Sequence, residues 1–185
     1  MIDKTLKQAE EKMGKAIEVV REDFGGVRTG RASPALVQRL QIDYYGTQTP
    51  LQQLAGISVP DPRSLLISPY DRSAISAIEK AIMASDIGIT PSNDGAAIRL
   101  NFPALTEERR KELIKVVRDR AEHGRVSIRN VRRHAKEEIE RDQKGGEASE
   151  DDMHRGEKEL QKMTDRFIGE VDDMLQRKEA ELLEV

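Results

Sequence analysis

All seven prolines of this 185-residue chain lie between positions 31 and 104. Proline removes a backbone donor and clashes with the preceding turn, so it breaks helix interiors. Residues 1–30 and 105–185 are therefore free to form long helices, and residues 31–104 are not. The proline-free parts carry the matching pattern. Ile2, Leu6, Ala9, Met13, Ala16, Val20, Phe24 and Val27 step by three or four, which draws one apolar stripe along a helix. Gly25 and Gly26 weaken its last turn, and Gly30 is placed to end it. Thr106 is a suitable N-cap for a second helix running to about Gln143, with Glu107 and Glu108 near the positive end of its dipole. QKGGEAS (143–149) reads as a loop. Ser149, followed by three acids, opens a third helix with a stripe through Met153, Leu160, Met163, Phe167, Val171, Met174, Leu175 and Leu182.

The proline-rich middle has a different texture. LVQRLQIDYY, LAGISVP, SLLISPY and AAIRLNF are short apolar segments bounded by turn residues, which predicts strands. AISAIEKAIMAS (74–85) has a helical period, with Asp71 or Ser73 as its cap. The expected fold class is α+β in two domains. Three long amphipathic helices, none stable alone in water, bury their stripes in a long antiparallel three-helix bundle made of 1–30 and 105–185. A small β/α/β domain, 31–104, is inserted between the first two helices. The chain crosses twice between the domains, which predicts hinges at Gly30–Arg31 and at Pro103, Ala104 and Leu105.

Composition removes several functions. No cysteine is present, which excludes disulfides, thiolate-bound metals and a thiol nucleophile. Walker A, G-x-G-x-x-G and G-x-S-x-G sequences are absent, and the three histidines form no H-x-x-x-H pair. No catalytic residue, metal ligand or cofactor is assigned, and an autonomous enzyme is not expected. No apolar run approaches the ~20 residues that span a bilayer, and the first residues, MIDKTLKQAEEKMGK, lack the apolar core of a secretory signal. A cytoplasmic protein is expected. Tyr44 and Tyr45 have two readings, contact with a partner and strand packing, of which strand packing is the favoured one.

Charge is the positive signal. The net charge of −3 conceals a basic stretch, 109–136, with eleven Lys/Arg against three acids, and an acidic one, 137–185, with eight against seventeen. On a wheel of ~100° per residue with Arg125 at zero, Lys111, Arg118, Arg129, Arg132 and Lys136 lie within about 40° of it, and Arg133 near 80°. The apolar stripe, from Leu113 through Val117, Ala121, Ile128 and Val131 to Ala135 and Ile139, occupies a separate neighbouring arc. Burying the stripe leaves the cations facing water, where few helix neighbours relieve their repulsion. Such a ridge suits a polyanion, and arginine forks suit phosphate oxygens. With aromatics at 3% and no RNP or GXXG motif, backbone and shape recognition is expected rather than base reading.

The motifs RTGRASP (28–34), YYGTQTPLQQLA (44–55), DRS (71–73), KAIMASD (80–86), LTEERRKEL (105–113) and RNVRR (129–133) occur in this order. Through them the chain resembles the bacterial ribosome recycling factor family along essentially its whole length. The resemblance implies an L-shaped monomer of near-tRNA size. It acts after translation termination, when a ribosome still holds mRNA and deacylated tRNA. It also implies that the bundle binds between the subunits against large-subunit ribosomal RNA. Elongation factor G, which binds and hydrolyses the GTP, then acts on the small domain to split the ribosome. Carried over residue by residue, Arg132 is the centre of the RNA contact, with Arg28, Arg129 and Arg133 beside it. Arg109, Arg110, Arg118, Arg125 and Lys136 complete the candidate RNA-binding set, and Arg31 with 103–105 matches the hinge. His134 departs from the family, many of whose members carry an acid there. The rival reading is a helical protein-binding adaptor or chaperone-like factor with a non-specific RNA-binding face.

Overall fold

The computed structural model describes residues 1–184. In chain order its elements are α1 (Ile2–Gly25), β1 (Gln41–Tyr44), β2 (Thr47–Pro50), α2 (Leu51–Leu54), β3 (Ala55–Asp61), β4 (Ser64–Pro69), α3 (Ile75–Ala84), β5 (Ser92–Asn93), β6 (Ile98–Asn101), α4 (Glu107–Lys144) and α5 (Glu150–Leu183). The chain divides into two compact units. One comprises Met1–Phe24 with Ile114–Glu181, and the other Gly25–Leu113 with Leu182–Val185.

The first unit is helical. Thr5 Oγ1 donates to Glu138 Oε1, and Val20 packs against Gly124, so α1 and α4 run antiparallel. Ile2 packs against Gly156 and Arg166 pairs with Glu10, so α1 and α5 run parallel. Ile17 and Thr5 face the core, where the stripe pattern placed Ala16 and Leu6; the latter two are half-buried. The α1 stripe drifts across the face because 3.6 residues per turn do not match a strict heptad. Two helical glycines allow the close packing. A Cβ at Gly124 would overlap Val20 Cγ2, and one at Gly156 would lie 2.7 Å from Ile2 Cγ2.

Caps behave as the side chains dictate. Thr106 Oγ1 accepts from the Arg109 amide at 3.1 Å and Ser149 Oγ from the Asp152 amide at 3.0 Å, each satisfying a donor that the helix leaves open. Helix α1 stops at Gly25, five residues before Gly30, because Gly25–Gly26 ends it outright.

The second unit holds two antiparallel sheets: the hairpin β1–β2 and a four-stranded sheet in the order β3–β4–β6–β5. Leu65, Ile67, Ile98 and Leu100 from β4 and β6 meet Ile78 and Ile82 of α3 in one apolar cluster. Asp71 caps the turn before α3, accepting from the Ser73 amide at 2.9 Å. The β1–β2 hairpin was not expected from the strand pattern. Register pairs Tyr44 with Thr47, leaving Tyr45-Gly46 as a two-residue turn with φ of 48° and 80°. Turns of that kind need positive φ at both positions, and Tyr45 is an unusual occupant. It is 78% exposed, whereas Tyr44 packs against the core as a strand residue should.

Candidate nucleic-acid interface

The cationic face of α4 begins from its buried face. Val117, Ala121, Ile128, Ala135 and Ile139 are buried, and the register of the wheel then turns Arg118, Arg125, Arg129, Arg132, Arg133 and Lys136 away from that core.

Their environments differ sharply. Arg125 is only 18% exposed: its Nε and Nη2 reach Asp172 Oδ1 at 2.8 and 2.6 Å, and its Nη1 reaches Glu122 at 3.1 Å. Burial acts to lower its pKa, but the bonds from Asp172 and Glu122 outweigh it and hold the guanidinium above its usual range. Arg118 Nε donates to Glu179 at 2.5 Å, which likewise raises its pKa. Arg129 shares Glu122, at 3.2 Å, and bonds from Arg125 and Arg129 keep the Glu122 carboxyl below its usual range. Lys136 stands 3.9 Å from Glu140. Arg132 and Arg133, half-buried and exposed respectively, pair with no carboxylate among the described residues. His134, the departure from the family pattern, lies beside them with its Nδ1 3.8 Å from Glu137.

The expectation of an open ridge is therefore corrected. Its N-terminal half is tied down by Glu122, Asp172 and Glu179, and only Arg132 and Arg133 stand unanswered. Sequence reasoning missed these three acids, although a signal existed. Glu122 falls on the same arc of the wheel as the cations. Asp172 and Glu179 are one heptad apart, as are Arg118 and Arg125, and antiparallel helices place such pairs opposite one another.

The other candidate residues belong to the sheet-containing unit. Arg28 is turned onto the protein: its Nη2 donates to the Pro103 carbonyl, and its guanidinium lies 5.8 Å from the centre of the Phe102 ring. Burial, then the nearby charge of Arg109, hold its pKa below the usual range. Arg109 pairs with Glu112 at 2.8 Å. Arg110 is half-buried, with an Nε that finds no partner. Of the residues expected at the hinge, Arg31 lies 3.3 Å from Glu184, Gly30 has φ of 87°, and Leu105 is buried. Among the described residues no His, Asp or Glu cluster could hold a metal, and no helix is long and apolar enough to cross a membrane.

The chain thus combines a unit of long helices, with arginines along one face of α4, and a sheet-containing unit. The profile of the ribosome recycling factor family matches residues 20–183. The ribosome-recycling factors of Thermobifida fusca and Kineococcus radiotolerans are 56% and 57% identical to the chain, covering all of it and all of themselves. A solution structure of a ribosome recycling factor superposes with a TM-score of 0.80 at 41% identity, over 100% of this chain and 98% of that one. Another structure describes the T. thermophilus ribosome recycling factor and E. coli elongation factor G on the E. coli post-termination complex. It superposes at 0.70 with 45% identity over 100% of both chains. The chain belongs to the ribosome recycling factor family. Its activity is ribosome recycling, the work of a translation factor and not of an enzyme.

Proposed function

We propose that the chain grips large-subunit ribosomal RNA of the post-termination ribosome through Arg132 and Arg133. Arg129 and Lys136 lend charge from either side. The observation that carries this reading is that, among the described residues, these two arginines of the ridge have no carboxylate partner to neutralise them. An unpaired, half-exposed guanidinium contributes little to folding and keeps its donors free for phosphate oxygens. Arg118 and Arg125 act as struts between α4 and α5. Arg28, bound to the Pro103 carbonyl, braces the segment that leads to Leu105.

Elongation factor G, carrying GTP, is the second partner. It acts on the sheet-containing unit, and bending at residues 30–31 and 103–105 transmits that push, so the subunits separate and mRNA and deacylated tRNA leave. The aromatic turn at Tyr45 offers a protein partner an exposed, well-held contact. Tyr45 Oη lies 3.1 Å from Ser73 Oγ, and Ser73 donates to Asp71 at 2.7 Å. A ribosome-bound protein of this kind works in the cytoplasm as a monomer. The test is equilibrium binding of Arg132→Ala to large ribosomal subunits. Loss of a charge-assisted phosphate contact lowers affinity roughly tenfold or more; unchanged affinity refutes the reading.

A further inference from the structure

Beside the free arginine lies a cavity of about 310 Å³ between α4 and α5. Arg132 and Lys136 line it from α4, and Lys158, His154 and Glu157 from α5, while Leu160, almost fully buried, forms part of its lining. Three full positive charges thus meet one carboxylate. Lys136 and His154 each have a distant acid partner on their own helix, at 3.9 and 3.8 Å. Lys158, exposed, and Arg132, half-buried, have none among the described residues. The acid one heptad before Asp172 is Asp165, and its Oδ1 instead accepts from Gln161 Nε2 at 2.9 Å.

We propose that this notch is a second phosphate-binding position, in which Lys158 of α5 takes the backbone phosphate next to the one that Arg132 of α4 holds. The interface then spans two helices rather than following one ridge. This inference rests on the RNA-binding reading above. It adds a residue that neither the charge wheel nor the motif resemblance selected, because α5 is acidic as a whole and Lys158 goes unnoticed in that average. A notch whose walls carry ammonium and guanidinium groups suits the oxygens of a phosphate group. Glu157 sets the position of the anion by excluding it from one wall.

Binding to large ribosomal subunits would be measured for the full chain and for Lys158→Ala, Lys158→Arg, Arg132→Ala and Lys162→Ala. Lys162 stands 3.9 Å from Glu159 and lies outside the notch, so it controls for a general loss of charge. Lys158→Ala is expected to weaken binding about three- to tenfold and to reduce the slope of log affinity against log salt by roughly 0.7–0.9. Lys158→Arg should restore both, and Lys162→Ala should change neither. If Arg132→Ala weakens binding but Lys158→Ala does not, or if Lys162→Ala matches Lys158→Ala, the notch is refuted and the arginine reading stands. If Arg132→Ala is also without effect, the RNA-binding reading falls with it.

Discussion

Arg118, Arg125 and Arg132 occupy successive heptad positions on one face of α4, yet they live in two different worlds. The first two are bonded across to Glu179 and Asp172 of α5. The third meets no carboxylate among the described residues; Asp165, one heptad before Asp172, accepts from Gln161 instead. A row of like charges on a helix is therefore not one surface. The partner helix decides, heptad by heptad, which cations become internal struts and which remain available to a ligand. Pairing also changes what each arginine is worth. Arg125 is mostly buried, and removing it leaves two carboxylates facing each other, whereas Arg132 can be removed from the free protein at little cost.

The largest expected effect sets these halves against each other. Arg132→Ala with Arg133→Ala should weaken ribosome binding about 100-fold, at roughly 1–3 kcal/mol for each charge-assisted contact. Arg118→Ala with Arg125→Ala should stay within about threefold, reflecting only diffuse charge. Equilibrium pull-down reads both, and comparable losses would erase the distinction.

Stability should show the reverse order. Gly124 lies next to Arg125, where α4 comes against Val20. Gly124→Ala gains helix propensity but forces a methyl into a β-branched side chain that cannot swing away, so a net loss of about 1–3 kcal/mol is expected. A thermal melt with an unchanged or raised midpoint would show that the two helices can separate there at little cost. Arg125→Ala should cost about 1 kcal/mol in a denaturant titration, and Arg132→Ala almost nothing.

The smallest effect concerns acid. Hydrogen bonds from Arg125 and Arg129 lower the Glu122 carboxyl in the folded state. Its contribution is therefore present above the unfolded value of about 4.3 and fades as pH falls through the lower folded value. Glu122→Gln should be less stable than the parent at neutral pH, with the gap starting to narrow as pH falls through about 4. A gap that shows no narrowing on acidification would mean that the bonds, not the charge, matter.

Much of this was legible in the sequence. The Thr106 and Ser149 caps and the long helices followed from local rules that tertiary contacts did not override. The ridge on α4 was legible as a periodicity. Its division was not, since that depends on how α5 is registered against α4, a relation between residues some fifty positions apart. The β1–β2 hairpin was missed because Tyr45-Gly46 puts a tyrosine where turn rules look for asparagine or glycine. The motif resemblance gives no sign of where Arg28 rests in the free protein, because Pro103 and Phe102, which hold its guanidinium, lie far along the chain.

The most direct measurement is the salt dependence of ribosome affinity for the parent chain and for Arg132→Ala with Arg133→Ala. Each phosphate neutralised releases condensed counterions, so the slope of log affinity against log salt should flatten by roughly 1.4–1.8 when both arginines are lost. Identical slopes would mean that these guanidinium groups do not meet phosphate, and the account of how this chain holds ribosomal RNA would be wrong.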